Sequence, residues 1–216
     1  RLFPASEDTD ETSSPFPFKI QVADFKLVNV DFHFKNGGVT QLPDYDYFNL
    51  DDLSINKINL AFSAFADIAN NSYTLDLVDF NFASNIQQFG LKKLSGDFLV
   101  NDEGIGIKDL LLETEKSSLT LSGAVSNFNL FDTASVNLKS VKINSRLIVS
   151  NFNFNDLRIF APSTEILHGD AAFDLRLNGT LNNLVFPNLE VAINNTHLGV
   201  KGQLNNLLEP DQFYIN

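Results

Sequence analysis

Leu119–Phe128 reads LTLSGAVSNF, Leu175–Leu184 reads LRLNGTLNNL and Leu198–Leu207 reads LGVKGQLNNL. One phrase underlies all three: apolar residues alternate with others, Gly falls in the middle, and Asn followed by an apolar residue closes it. Two longer stretches, Leu110–Phe128 and Leu189–Leu207, align without a gap. Residues two apart on a strand share a face, so this period puts the apolar residues on one side. A single unit of this kind cannot bury its apolar face alone. Repetition therefore implies stacked β-units that build one continuous apolar surface.

The same period runs outward from the repeats. Phe18, Ile20 and Val22 begin it, and the phase then shifts through Phe25 and Leu27 to Val28, Val30, Phe32 and Phe34, which predicts a bulge or bend in a long strand. Asn36-Gly37-Gly38 signals a turn, and Gln41–Asp52 reads as a loop. Alternation resumes at Ile58, Leu60 and Phe62, then at Tyr73, Leu75 and Leu77, and again at Phe80 and Phe82. Leu94, Phe98 and Val100 lead through an Asn101–Gly104 hairpin turn to Ile105, Ile107, Leu110 and Leu112. Leu119, Leu121 and Val125 follow the Lys116-Ser117 turn. Val136, Leu138, Val141 and Ile143 read as the next strand, then Leu147 and Val149, and Phe152 and Phe154 extend into Leu157 and Ile159. Pro162–His168 breaks the pattern. Phe173, Leu175, Leu177 and Leu181 form the cleanest run, with Asp174, Arg176, Asn178 and Thr180 between them. Leu189, Val191 and Ile193 turn at Asn194-Asn195 into Leu198, Val200 and Leu204. No long segment has a helical period, so the expectation is an antiparallel all-β meander of roughly a dozen to fifteen short strands.

Composition narrows the function classes. The chain has 216 residues, no Cys, no Trp and 21 Phe, and its formal net charge is −12. Such acidity opposes binding to nucleic-acid phosphates or to anionic headgroups through a basic surface. Without Cys there is no disulfide and no thiolate metal site. No apolar run is long enough to span a bilayer. The chain starts at Arg1 without Met, which reads as an internal piece of a longer protein. Arg1–Pro17 is acidic, Ser/Thr-rich and flanked by Pro, and is expected to be a linker or disordered lead-in; residues 18–216 form the repeating β segment. A one-sided apolar pattern fits either a closed sandwich or an open curved sheet, and the two differ only in where the apolar face goes.

Leu91–Val125 (LKKLSGDFLVNDEGIGIKDLLLETEKSSLTLSGAV) resembles the repeat of the AsmA/TamB superfamily, in which strand, turn and strand carry phrases of this kind. Phe18–Phe34 (FKIQVADFKLVNVDFHF) is similar to another element of that family, and Leu189–Leu207 repeats the pattern late in the chain. The resemblance implies an elongated, curved antiparallel sheet, a β-taco or repeating β-groove with an apolar concave face. It implies a segment of a TamB-like, periplasm-spanning protein, on its N-terminal side, anchored to the inner membrane outside this chain. The implied activity is non-enzymatic: shielding phospholipid acyl chains in transit between inner and outer membranes. The implied partners are those acyl chains, a TamA-like outer-membrane β-barrel engaged through other regions, and the remainder of the full-length groove. No cofactor or metal is implied. A periplasmic scaffold for outer-membrane protein assembly and an adhesin-like β-solenoid are the alternatives; the antiparallel turn signals disfavour the solenoid. A carbohydrate-active β-sandwich is disfavoured by the absence of Trp.

The expected groove lining is Ile58, Leu60, Phe62, Leu75, Leu77, Phe98, Val100, Leu110, Leu112, Leu119, Leu121, Val125, Phe173, Leu175, Leu177, Leu181, Leu189, Val191, Ile193, Leu198, Val200 and Leu204. Other candidates read as ordinary surface. His33, His168 and His197 lack metal-ligand spacing. Glu113/Glu115 and Asp44/Asp46 are solvated strand-face pairs, and Asn101–Gly104 and Asp51-Asp52 match no calcium-loop spacing. Gly123, Gly179 and Gly202 occupy one position of the phrase, where Gly suits a bend or a close approach of strands.

Overall fold

Period-two alternation over long runs gives strands, and here it gives one sheet. The computed structural model describes residues 18–37, 48–86, 89–193 and 196–216. Its strands are β1 (Lys19–Lys35), β2 (Asp52–Asp67), β3 (Ser72–Ser84), β4 (Gly90–Asn101), β5 (Gly104–Thr114), β6 (Ser118–Ser126), β7 (Lys142–Asn153), β8 (Asp170–Thr180), β9 (Asn183–Ile193), β10 (Thr196–Asn205) and β11 (Tyr214–Ile215). Spatial order equals chain order, every pair is antiparallel, and β1 and β11 are the two edges, so the sheet is an eleven-stranded open meander. The parallel coils of a solenoid are not built by the described residues. The expected lead-in Arg1–Pro17, Asp44 and Asp46, and the Asn194-Asn195 turn lie outside the described residues.

The strands are fewer and longer than the sequence suggests. The bulge expected within the first long strand is present at Val22/Phe25 and Leu27/Val30 on β1, and further phase shifts, as at Leu77/Phe80 on β3 and Ile107/Leu110 on β5, are likewise bulges inside continuous strands. Every pair from β1–β2 to β9–β10 carries such a shift. Three bulged residues adopt left-handed backbone: Asn29 at φ 55°, Lys57 at φ 54° and Asp109 at φ 51°. In each, the N–H that leaves the ladder donates to a neighbouring side chain: Asn59 Oδ1 at 3.0 Å, Asp31 Oδ1 at 2.9 Å and Ser122 Oγ at 3.1 Å. An unpaired N–H is costly, so these partners are what let the run continue past the kink.

Two further segments differ from expectation. Phe154, Leu157 and Ile159 do not extend a strand; they lie on a short helix, α1 (Phe154–Phe160). Asn153 caps it by accepting from the Asn155 N–H, and a side chain that satisfies the first turn favours helix over ladder. Val136 and Leu138 also leave the strand. The chain there makes 3-10 turns at Thr133–Ser135 and Leu138–Ser140. Asn129 accepts from the Phe131 and Asp132 N–H groups and Asn137 from that of Lys139, so local side-chain bonds compete with strand pairing.

α1 lies across the end of the sheet where β2, β4, β6 and β8 begin. Its Asp156, which is buried, accepts from Thr114 Oγ1 at 2.5 Å and Ser117 Oγ at 2.6 Å, tying the helix to the β5–β6 turn. The Ile159 carbonyl accepts from the Phe48 N–H just before β2, and the Phe160 ring lies 5.5 Å from Phe89 and 6.0 Å from Phe48. The buried residues Val149, Leu91, Ile159 and Ala171 collect at this end, while Val141 and Leu184 are buried at the other. There Phe131, from the β6–β7 connection, stacks on Tyr73 of β3 at 5.3 Å. Among the described residues no large side chain is fully buried; the buried apolar residues gather mainly at the two ends, with Leu77, opposite Phe62, buried mid-sheet.

Candidate functional site

Directly opposed residues of an antiparallel pair share a face, so the register traces rows across the sheet. One row crosses ten strands: Leu27, Leu60, Phe80, Leu94, Leu112, Leu119, Val149, Phe173, Val191 and Leu198. A second crosses all eleven: Ile20, Ala66, Tyr73, Val100, Ile105, Val125, Ile143, Gly179, Leu184, Leu204 and Ile215. Neither row contains a charged residue. Between them run Leu110, Leu121, Leu147, Leu175, Leu189 and Val200 on β5–β10, and Leu75, Phe98, Ile107, Gly123, Ser145 and Leu177 on β3–β8. With strands about 4.8 Å apart, the ten-strand row is roughly 43 Å long.

The rows bring together most of the residues expected to line one face. Phe62 and Leu77 are opposed beside them, Ile58 stands opposite Val30, and Ile193 opposite Ala171. Leu181 is the exception: it lies in the β8–β9 turn, where its N–H donates to the Val141 carbonyl. The rows also take in residues that the expected lining leaves out, among them Leu27, Phe80, Ile105, Ile143 and Val149. Their signal was the same alternation, read across the bulges rather than within one phrase.

The repeats share this face although they are not all level. Gly123 stands in a row with Leu177, and Val125 with Gly179, so the phrase on β8 is displaced by two residues from that on β6. Leu204, not Gly202, aligns with Gly179, so the step is reversed on β10 and the phrase there is level with that on β6, Val125 sharing a row with Leu204. A two-residue offset preserves the face, where an odd offset would reverse it. The glycines themselves mark close approach. A Cβ on Gly179, at φ 136°, would lie 2.1 Å from the Asn183 carbonyl oxygen, and one on Gly202 would lie 2.3 Å from the Phe186 ring.

The opposite face is polar and more exposed. On β8 Arg176 and Asn178 are exposed while Phe173, Leu175 and Leu177 are half-buried. Arg146 on β7 holds Asp174 through paired bonds of 3.1 and 2.6 Å. The Arg146 hydrogen bond keeps the Asp174 carboxyl below its ordinary value of 3.8 and raises the guanidinium in turn. At the sheet's other corner Lys19 and Asn70 hold the Asp67 carboxyl low in the same way, Lys19 most strongly. These pairs fasten neighbouring strands, and Asp174 also borders, with Glu190 and His197, an open depression of the sheet surface.

No protein-family model, no curated protein and no solved structure matches this chain. The candidate site is therefore defined by geometry alone. Among the described residues no group of three or more His, Asp or Glu is placed to hold a metal ion, and no helix is long and apolar enough to cross a membrane. His33 Nδ1 lies 2.9 Å from the Ser54 hydroxyl across β1–β2. Asn101 Oδ1 accepts from the Glu103 and Gly104 N–H groups, so that loop is a side-chain-closed turn.

Proposed function

We propose that the apolar face is the inner wall of a curved β-groove that shields lipid acyl chains, in a segment of an AsmA/TamB-like envelope protein that moves phospholipid between the inner and outer membranes. The observation that carries this reading is the pair of unbroken apolar rows across ten and eleven strands. Each methylene taken from water gains about 0.8 kcal/mol, so a chain of methylenes needs continuous hydrocarbon lining and no specific polar contact. An apolar face of this extent without a covering layer marks a surface that takes a partner. Curvature towards that face is supported by its lower exposure relative to the polar face and by α1, which spans from the end of β7 to the start of β2. The periplasmic location, the inner-membrane anchor, the TamA-like partner and the rest of the groove belong to the same proposal. So does the absence of enzymatic activity.

The test is photo-crosslinking from single positions in the full protein in cells. A photoreactive phenylalanine at Leu119 or Phe173 is expected to capture phospholipid, and one at Thr120 or Arg176 on the polar face is not. Equal capture from both faces, or none from either, overturns the reading.

A further inference from the structure

One row of the apolar face changes height. Phe98, Ile107 and Leu177 are large, but between Ile107 and Leu177 stand Gly123 on β6 and Ser145 on β7. The two strands are close here: a Cβ on Gly123 would lie 2.6 Å from Ser145 Cβ. The result is a depression of about 240 Å³ whose floor is Gly123 and Ser145 and whose walls include Ile107, Leu121 and Ile143. No charged side chain lines it. A cavity of about 150 Å³ lined by such side chains already accepts a benzene molecule, and drug-sized pockets start near 300 Å³. The depression is thus sized for one short hydrocarbon segment.

We infer that this depression is a seat for a segment of a single alkyl chain, a resting position on an otherwise uniform face. The inference rests on the acyl-chain reading above and adds a place where the chain pauses. An uncharged aliphatic seat selects hydrocarbon over headgroup. The seat also opens onto the rows on either side, which suits a flexible chain lying across the strands better than a rigid ring. Because Gly123 cannot carry a side chain, the depth of the seat is set by the small size of residue 145.

Ser145→Leu fills the seat and leaves the polar face untouched, Ser145→Val fills it with a residue suited to strands, and Ser145→Ala keeps it open. The full chain of each variant is incubated with vesicles of phosphatidylethanolamine and phosphatidylglycerol that carry a diazirine at mid-acyl chain, irradiated, and mapped by peptide mass spectrometry after circular dichroism has verified folding. The wild type and Ser145→Ala are expected to concentrate crosslinks on β5–β7. Ser145→Leu or Ser145→Val is expected to lower the β5–β7 signal on the order of ten-fold, as losing about two buried methylenes implies, and to spare crosslinks elsewhere. Crosslinks spread evenly over the face and unchanged in a folded filling variant overturn the seat and leave the groove standing. No crosslink to any strand of the wild type overturns both.

Discussion

Removing the Asp156 carboxylate is expected to release α1 from the sheet at a measurable cost. Asp156 is 6% exposed, Ser117 5% and Thr114 9%, so the cluster is shut away from water. Both hydroxyls donate to one carboxylate oxygen, at 2.5 and 2.6 Å. Hydrogen bonds to a charged partner contribute about 1.5–3 kcal/mol each, offset by the cost of keeping the charge dry, so Asp156→Ala is expected to cost about 2–4 kcal/mol. For a chain of this size that lowers Tm by roughly 5–15 °C. Ser117 Oγ also accepts from the Asn153 N–H, so the carboxylate contact is isolated by a double-mutant cycle: Ser117→Ala is expected to cost about 1 kcal/mol less in the Asp156→Ala background than in the wild type. Urea titration measures the stability, and amide hydrogen exchange over residues 154–160 shows whether α1 opens first. A loss below about 0.5 kcal/mol for Asp156→Ala, or no coupling in the cycle, refutes the latch.

Other expectations follow from the same geometry. Leu177→Asp puts a charge on the apolar face at a cost of about 2.5–3.5 kcal/mol to a passing acyl chain. A folded Leu177→Asp protein should lose lipid crosslinks beyond that strand and weaken the outer membrane while Asn178→Asp does neither; intact lipid contact in folded Leu177→Asp counts against the conduit. Gly179→Ala should lose more than about 2 kcal/mol, because its Cβ would strike the Asn183 carbonyl oxygen, whereas Gly106→Ala, with its nearest neighbour at 3.7 Å, should be neutral or gain about 0.5 kcal/mol. Equal effects in the two melts would show that the β8–β9 approach is not tight. Asp174 has a folded pKa below its ordinary value of 3.8, so its contribution is complete above that value and is lost as pH falls through the lowered one. Asp174→Asn should therefore flatten the acid limb of the stability–pH curve below about pH 4, and an unchanged limb rejects the assigned role of Arg146.

The sheet was largely legible because its signal is local. Phe173, Leu175 and Leu177 alternate with Asp174 and Arg176, and nothing remote is needed to set their faces. The bulges were harder. Val28 and Val30 mark a phase shift, but only the reciprocal bonds across the pair, Asn59 of β2 accepting from the Asn29 N–H and Asp31 of β1 from the Lys57 N–H, show why the strands survive it. Phe154, Leu157 and Ile159 read as strand because an aromatic-rich run fits either period. What decided for helix was the Asn153 cap together with Asp156 meeting Thr114 and Ser117 some 40 residues earlier, a contact no local pattern contains. Which apolar residues stand in one row was hidden for the same reason, since the two-residue step between repeats is a property of pairing. The depression at Gly123 needed Ser145, which no repeat singled out.

Native mass spectrometry of the full chain, extracted from cell membranes in mild detergent, tests the central claim most directly. If the apolar face shields acyl chains, the protein should carry phospholipid, and the bound fraction should fall in Leu177→Asp but not in Asn178→Asp. A ligand-free protein in both variants and wild type, or a dimer whose apolar faces protect each other from hydrogen exchange and crosslinking, contradicts it.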